Sequence, residues 1–465
     1  MKIQVKTMKH VDTRKGKIQL FVKILWPIMV TQISLYSMNL VDTMMSGRVG
    51  TDDLAGVAIG SSVWMPVFTG INGIMLAVTT IVAQLIGRGQ RDKISNSVTQ
   101  AMYLSIVLSI LVVISGIFFL EPILSFMNLT AAVSHISFHY LIGLSFGIIP
   151  LFLASVLRNF FDGQGFTRIT MIITVAAVPF NILLNYGFIF GNFGLPALGG
   201  IGAGYATAAT YWIILFLSIW MTFRLEVVRH YKLFVSWMKP SWKTWKEQLS
   251  IGVPIGLSIF FEASIFSVVT LLMAMMFATV TIAAHQIALS FTSLIFMIPL
   301  SISMALTIVV GFSVGGKKIE AAKQYARLGV LGGIAILAVG AVFLYFFREK
   351  IAYLYTDDQE VVMMAGQFFI LAIFYQLSDA AQSGLQGVLR GYKDVQVPFI
   401  TAFISYWIIG IPVGYYLASF TEFGPFGLWV GITLGLTCAA IGFFVRLQIV
   451  QRRAELQANS QTESK

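Results

Sequence analysis

Twelve apolar runs, each of 18 residues or more, succeed one another along the chain, and no other feature narrows its fold so far. A bilayer's hydrocarbon core is about 30 Å thick and holds no water to bond a bare peptide group, so a spanning segment must satisfy its own backbone. Helices of ~20 residues do this. The runs fall at about 24–46, 54–82, 97–119, 136–157, 169–190, 200–222, 249–277, 282–310, 328–347, 361–387, 397–418 and 427–449, lengths that suit helices rather than barrel strands. Hydrophobic residues make up 57% of the 465 positions and charged ones 11%, too little charge to coat a soluble protein of this size. The expected class is an all-α polytopic membrane protein with twelve transmembrane helices.

A formal net charge of +11 elsewhere suggests a nucleic-acid partner, but its placement points to topology instead. With both termini inside, 28 of the 31 Lys and Arg fall in inside segments. They include Lys2, Lys6, Arg158, the six from Arg224 to Lys246, Arg390 and Lys465, against Arg48, Arg348 and Lys350 outside. Basic residues concentrate on the cytoplasmic side of membrane proteins. The expected setting is therefore the cell (inner) membrane, with cytoplasmic termini, the lipid bilayer as partner and no nucleic acid. The basic first twenty residues lack a small-residue cleavage site, so the apolar run after them reads as a retained first span. Cys438 is the single cysteine, which leaves no disulfide framework and no thiol pair for redox or metal chemistry.

The two halves of the chain resemble each other at an offset of about 228 residues. Pro27 answers to Pro254, Leu54-Ala55 and Ile59 to Ile282-Ala283 and Ile287, Gly87 to Gly315, Phe161 and Gly163 to Leu389 and Gly391, and Gly199 to Gly427. Six spans per copy is an even number, so the copies keep one orientation, related by an axis along the membrane normal. This predicts two pseudo-symmetric six-helix lobes, residues 1–223 and 248–450, around a central cleft. Between them lies a basic, Trp-rich linker, 224–247, whose composition suits a helix at headgroup level. A polar tail, 451–465, follows. Pro27, Pro66, Pro150, Pro179, Pro254, Pro299, Pro398 and Pro412 fall within or near span ends, and as a set predict broken, movable helices.

Three carboxylates stand inside these runs: Asp42, Glu262 and Asp379. A charge at the centre of a spanning helix costs roughly 2.5–3.5 kcal/mol on insertion scales, so such residues mark function by default. At ~1.5 Å per helical residue, Glu262 and Asp379 lie about 20 and 13 Å from the cytoplasmic edge and can face one cavity, whereas Asp42 lies nearer the outer side. Two carboxylates in a low-dielectric site do not both ionise unless a cation joins them, which makes a pair suitable for coupling to a proton or sodium ion. Gln286, Ser378 and Gln382 are nearby candidates, and no basic residue is placed within these spans to pair with the acids. In the amino-terminal half Asn39, Asp42, Asn181 and Asn185 are candidates to converge, since Asn181 and Asn185 stand one turn apart. The same pattern serves equally to bond helices together. His285, beside Gln286, reads first as a packing residue. No phosphate-binding loop, paired-His helix or nucleophile elbow occurs, so an enzyme is not expected, nor a cofactor, and transport draws on an ion gradient.

Several motifs then carry a family resemblance: Val41-Asp42-Thr43-Met44-Met45-Ser46-Gly47, Leu54-Ala55-Gly56-Val57-Ala58, and Ala83-Gln84 before Gly87. The second half adds Gly252-Val253-Pro254 with Glu262, Ala283-Ala284-His285-Gln286-Ile287, and Gly384-Leu385-Gln386-Gly387-Val388-Leu389-Arg390-Gly391. Over nearly its full length the chain resembles the multidrug and toxic compound extrusion family, in its NorM-like branch. The resemblance implies export of small cationic, apolar compounds in exchange for sodium or protons. It also implies that Glu262 and Asp379 form the cation site, with sodium as one candidate ion, that Asp42 binds drug or ion, and that Ser62 and Gln286 contact drug. Asn185 stands where some relatives have an aspartate of an amino-lobe sodium site, which weakens that site here. A monomer is expected. A flippase for lipid-linked precursors shares the two-lobe plan, but would line its cleft with basic residues rather than acids.

Overall fold

The computed structural model describes residues 8–463, so Lys2, Lys6 and Lys465 of the inside count lie outside the described residues. Its helices are α1 (Arg14–Gly47), α2 (Thr51–Met75), α3 (Ala77–Gly87), α4 (Asp92–Phe126), α5 (Ala131–Ser145), α6 (Ile148–Gly163), α7 (Thr167–Phe190) and α8 (Gly200–Arg224). After the short α9 (Glu226–Arg229) come α10 (Trp242–Met276), α11 (Thr279–Gly315), α12 (Ile319–Tyr353) and α13 (Gln359–Gly391). Then follow α14 (Gln396–Phe403), a π-helical segment (Ile404–Gly410), α15 (Ile411–Phe420) and α16 (Phe426–Glu463). Eleven rods, with α2–α3 and α14–α15 each counted once, are long and apolar enough to cross a membrane, and the pair α5–α6, bent by 51°, makes a twelfth. The helical class and the span count expected from the apolar runs are thus observed.

The breaks have local causes, and two of them fall at prolines, Pro150 and Pro412. Pro27, Pro66, Pro179, Pro254 and Pro299 lie inside continuous helices, so only part of the proline set marks a break. The α5–α6 bend falls at Phe146-Gly147: Pro150, four residues after Phe146, has no N–H to bond its carbonyl, and a Cβ on Gly147 would sit 2.6 Å from Ala208 Cα, so only glycine lets α8 come this close. Trp212 Nε1 donates to the Phe146 carbonyl freed at the bend (3.0 Å). At Pro412 the missing N–H removes one i→i−4 bond, and the backbone before it widens into the π segment.

The linker also departs from expectation. Beyond α9 it is irregular up to Ser241, not an interfacial helix. Pro240 removes a donor and biases Lys239 away from helix, and α4 side chains bind the exposed backbone instead. Tyr103 Oη donates to Met238 O (2.9 Å), Gln100 Nε2 donates to Lys239 O (2.7 Å), and Gln100 Oε1 accepts from Ser241 N (2.8 Å).

The sequence repeat has a counterpart in hydrogen bonding. Thr79 Oγ1 donates to Asn159 O (3.3 Å), and Thr307 Oγ1 donates to Gly387 O (3.0 Å), so both partners recur at an offset of 228. Gly387 is required there because a Cβ would collide with the Ser303 carbonyl oxygen. Packing divides the chain into two compact units, one holding Trp26–Gly256 with Met8 and Lys9, the other His10–Leu25 with everything from Leu257 onward. Within the second unit His10 stacks on Phe312 (4.3 Å) and Lys17 Nζ donates to Gln324 Oε1 (2.5 Å).

Candidate functional site

On α13, Asp379, Gln382, Ser383, Gln386 and Arg390 stand at i, i+3, i+4, i+7 and i+11 and so form one polar stripe along an otherwise apolar helix. None is more than 5% exposed. Buried polar groups must find partners, and α10 supplies two of them one turn apart, Ser258 and Glu262. Gln386 Nε2 donates to Ser258 Oγ (2.8 Å), while Glu262 accepts from Gln382. Moving one turn forward on α10 thus means one turn back on α13, so the helices run antiparallel here.

The rest of the network closes around the acids. Ser383 Oγ lies within hydrogen-bond reach of both Asp379 Oδ1 (3.3 Å) and Gln382 Oε1 (3.0 Å), and Gln382 Nε2 donates to Tyr406 Oη on the π segment. Arg390 Nη2 donates to Gln386 Oε1 (2.7 Å). Glu262 and Asp379 lie within electrostatic range of each other, and Tyr375 and Tyr406 within range of both. The donor set is therefore all oxygen: two carboxylates, an amide, a hydroxyl and two phenols. Hard cations take such ligands, and a proton shared by the pair relieves the same repulsion.

Arg390 overturns one expectation. It is buried on the polar stripe of Asp379 and within electrostatic range of Glu262, so a basic residue does stand within these spans. Reading the span as ending near 387 had assigned it to an inside loop, but α13 runs on to Gly391 and buries it. Arg158, assigned likewise to an inside segment, lies within α6 and pairs with Asp162 (Nε to Oδ2, 3.7 Å).

A second cluster surrounds Asp42 in the first unit. Its Oδ1 accepts from Asn185 Nδ2 (2.5 Å) and Asn181 Nδ2 (3.3 Å), and its Oδ2 accepts from Thr207 Oγ1 (2.7 Å). Asn181 also reaches Thr210 Oγ1 (3.4 Å). Asp42, Asn181 and Asn185 therefore converge as expected, on one carboxylate held by neutral donors. Asn39 does not join them; its side chain is exposed and its carbonyl accepts from Thr43. Ser62 is likewise exposed, donating to Ala58 O, and Gln286 is exposed while its neighbour His285 is buried, because adjacent helical residues point about 100° apart. Ser378 bonds Thr437 rather than the acid pair. Thr207, Tyr375, Tyr406 and Ser258 were not foreseen, since a lone hydroxyl in an apolar run carries no signal of what it faces.

The repeat shows why only one unit carries an acid pair. Counting back 227 from Glu262 and 228 from Asp379 gives Leu35 and Leu151, which line a small cavity of about 50 Å³ with Arg158 and Tyr211. The scaffold is shared, and the carboxylates are specific to the second unit.

His285 is a hydrogen-bonded joint. Indole Nε1–H only donates, so Trp429 Nε1 (3.0 Å) fixes His285 Nδ1 as the acceptor, and Nε2–H is left to donate to Thr270 Oγ1 (2.9 Å). The ring is therefore neutral and ties α10, α11 and α16 together. Replacing it by Phe leaves the buried Trp429 N–H without a partner, and thermal unfolding in detergent is expected to show a loss of about 1–3 kcal/mol.

The MatE family model matches residues 27–187 and again 254–416, starting at the two prolines that mark the repeat. The chain belongs to the MatE family of transporters. It is 50% identical to the probable multidrug resistance protein NorM of Halalkalibacterium halodurans, over 97% of this chain and 98% of that protein. It is 49% identical to the protein of the same description from Bacillus subtilis, over 96% and 98%. Among solved structures, an outward-facing multidrug resistance MATE family transporter of the MOP superfamily superposes with a TM-score of 0.86 at 20% identity, covering 97% of this chain and 100% of that one. The eukaryotic MATE transporter AtDTX14 gives 0.83 at 21%, covering 96% and 99%. Both share the fold of this MatE-family chain.

Proposed function

We propose that this chain is a multidrug efflux antiporter of the cell membrane. In this reading it exports small cationic, apolar compounds in exchange for sodium or protons, with both termini cytoplasmic. The observation that carries it is the convergence of Glu262 and Asp379, from helices α10 and α13, on one buried all-oxygen site. A carboxylate pair costs least at bilayer depth when a cation accompanies it, and that dependence is what couples transport to an ion gradient. The coupling ion and the drug each bias the conformational equilibrium by their differential affinity for its states. The Asp42 cluster supplies a third carboxylate, held by three donors, for a cationic drug or for an ion. The names of the NorM relatives, multidrug resistance proteins, support the substrate class.

The test uses purified protein in liposomes, with export of a cationic dye such as ethidium followed under an imposed sodium gradient and separately under a pH gradient. At least one gradient is expected to drive accumulation against the dye's own gradient. Stimulation by neither rejects antiport, and flux indifferent to both identifies a passive channel.

A further inference from the structure

We propose that Arg390 is the fixed counter-charge of the acid pair, holding the site at one net negative charge so that a single monovalent cation neutralises it. The inference rests on the reading of Glu262 and Asp379 as the cation site.

A guanidinium stays protonated in proteins, so a buried arginine is a permanent positive charge that the surroundings must balance. Arg390 is 5% exposed and lies on the same face of α13 as Asp379. Its guanidinium donates to Gln386 Oε1, a neutral acceptor, and Gln386 in turn grips Ser258, one turn from Glu262 on α10. The carboxylate that acts on it is Glu262. Around the pair stand Tyr375 on α13 and Tyr406 on the π segment, both neutral phenols. Helix α16 brings Trp429 against Tyr375 and Thr437 against Ser378, and Trp429 binds His285 of α11, which is neutral by its bonding. With Glu262 and Asp379 ionised and Arg390 charged, the site carries one net negative charge.

The first unit provides the contrast. Counting back 228 from Gln386 and Arg390 gives Arg158 and Asp162, which pair with each other one turn apart on α6. There the arginine is neutralised within its own helix, and Leu35 and Leu151 replace the acids. In the second unit the helix offers its arginine an amide instead, so the balancing charge lies across on α10. Two carboxylates without Arg390 would call for two cations; with it they call for one.

The experiment measures dye export by proteoliposomes as a function of the concentration of the coupling cation, sodium at fixed pH and proton at fixed sodium. Wild type is expected to give a Hill slope of about one. Arg390→Gln raises the site's negative charge, so the half-saturating cation concentration is expected to fall about tenfold or more and the slope to rise towards two. Arg390→Lys keeps the charge and is expected to retain the slope of about one. A wild-type slope of two, or a folded Arg390→Gln protein with unchanged slope and half-saturation, overturns the proposal. Should Arg390→Gln fail to fold, the wild-type slope and Arg390→Lys decide it. Glu262→Gln run alongside separates the two readings. Full cation dependence in that variant removes the cation site itself, whereas its loss together with a wild-type slope of two removes only the counter-charge.

Discussion

Glu262→Gln and Asp379→Asn are each expected to reduce gradient-driven dye export to the level of empty liposomes, with the protein still folded and inserted. Both amides keep the size of the acids and their capacity to accept, so the bonds from Gln382 to Glu262 and between Ser383 and Asp379 persist in altered form. What disappears is the charge that a cation answers. In the low dielectric of a buried site that charge governs cation affinity, since roughly 1.4 kcal/mol corresponds to each factor of ten in binding. The measurement is dye accumulation under sodium and pH gradients, with membrane yield and thermal unfolding as controls. Export at the wild-type rate in both variants would remove the acid pair from the mechanism.

Substitution at Asp42 is expected to separate charge from structure. Asp42→Ala takes the acceptor from the buried donors of Asn185 and Thr207, each at about 1–3 kcal/mol, while Asn181 keeps Thr210, so a loss of roughly 2–6 kcal/mol should appear in thermal unfolding. Asp42→Asn is different. Its carbonyl oxygen can accept from both asparagines, and its amide can donate to the Thr207 hydroxyl, which reverses its role. Stability within about 1 kcal/mol of wild type is expected for that variant, together with a fall of about tenfold in export of cationic dyes if the carboxylate charge attracts them. Equal stability of the Ala variant and wild type would show that the three donors have other partners. Wild-type export by the Asn variant would leave Asp42 as helix glue, the role its neutral, fully donor-lined setting also permits.

Those two clusters differ in how far they were visible beforehand. Asp42, Glu262 and Asp379 stood out because an acid in an apolar run violates the local pattern, and Asn181 with Asn185 because a spacing of four is one face of a helix. Thr207, Tyr375 and Tyr406 gave no such signal, being residues that spanning helices carry routinely. Gln286, Ser62 and Asn39 show the opposite failure, polar residues of suitable depth whose side chains are exposed rather than gathered into either cluster. Five prolines of the set misled for a related reason. A proline inside an apolar helix removes one bond that neighbouring chains can replace, so it does not by itself break the rod. The α5–α6 bend needed both, a carbonyl freed by Pro150 and a backbone approach that only Gly147 permits.

The sequence by itself determined the bilayer as solvent, the helices and their number, the twofold repeat and the three acids, because each is a property of consecutive residues: run length, helical period and charge placement. Only the tertiary structure decided which polar faces meet. Ser258 and Gln386 are 128 residues apart, yet their bond places Glu262 opposite Gln382 and ties Arg390, assigned from local pattern to a loop, to the same buried polar stripe through Gln386. Pairings of that kind follow from how whole helices pack, and no periodicity within one helix records the face its neighbour presents.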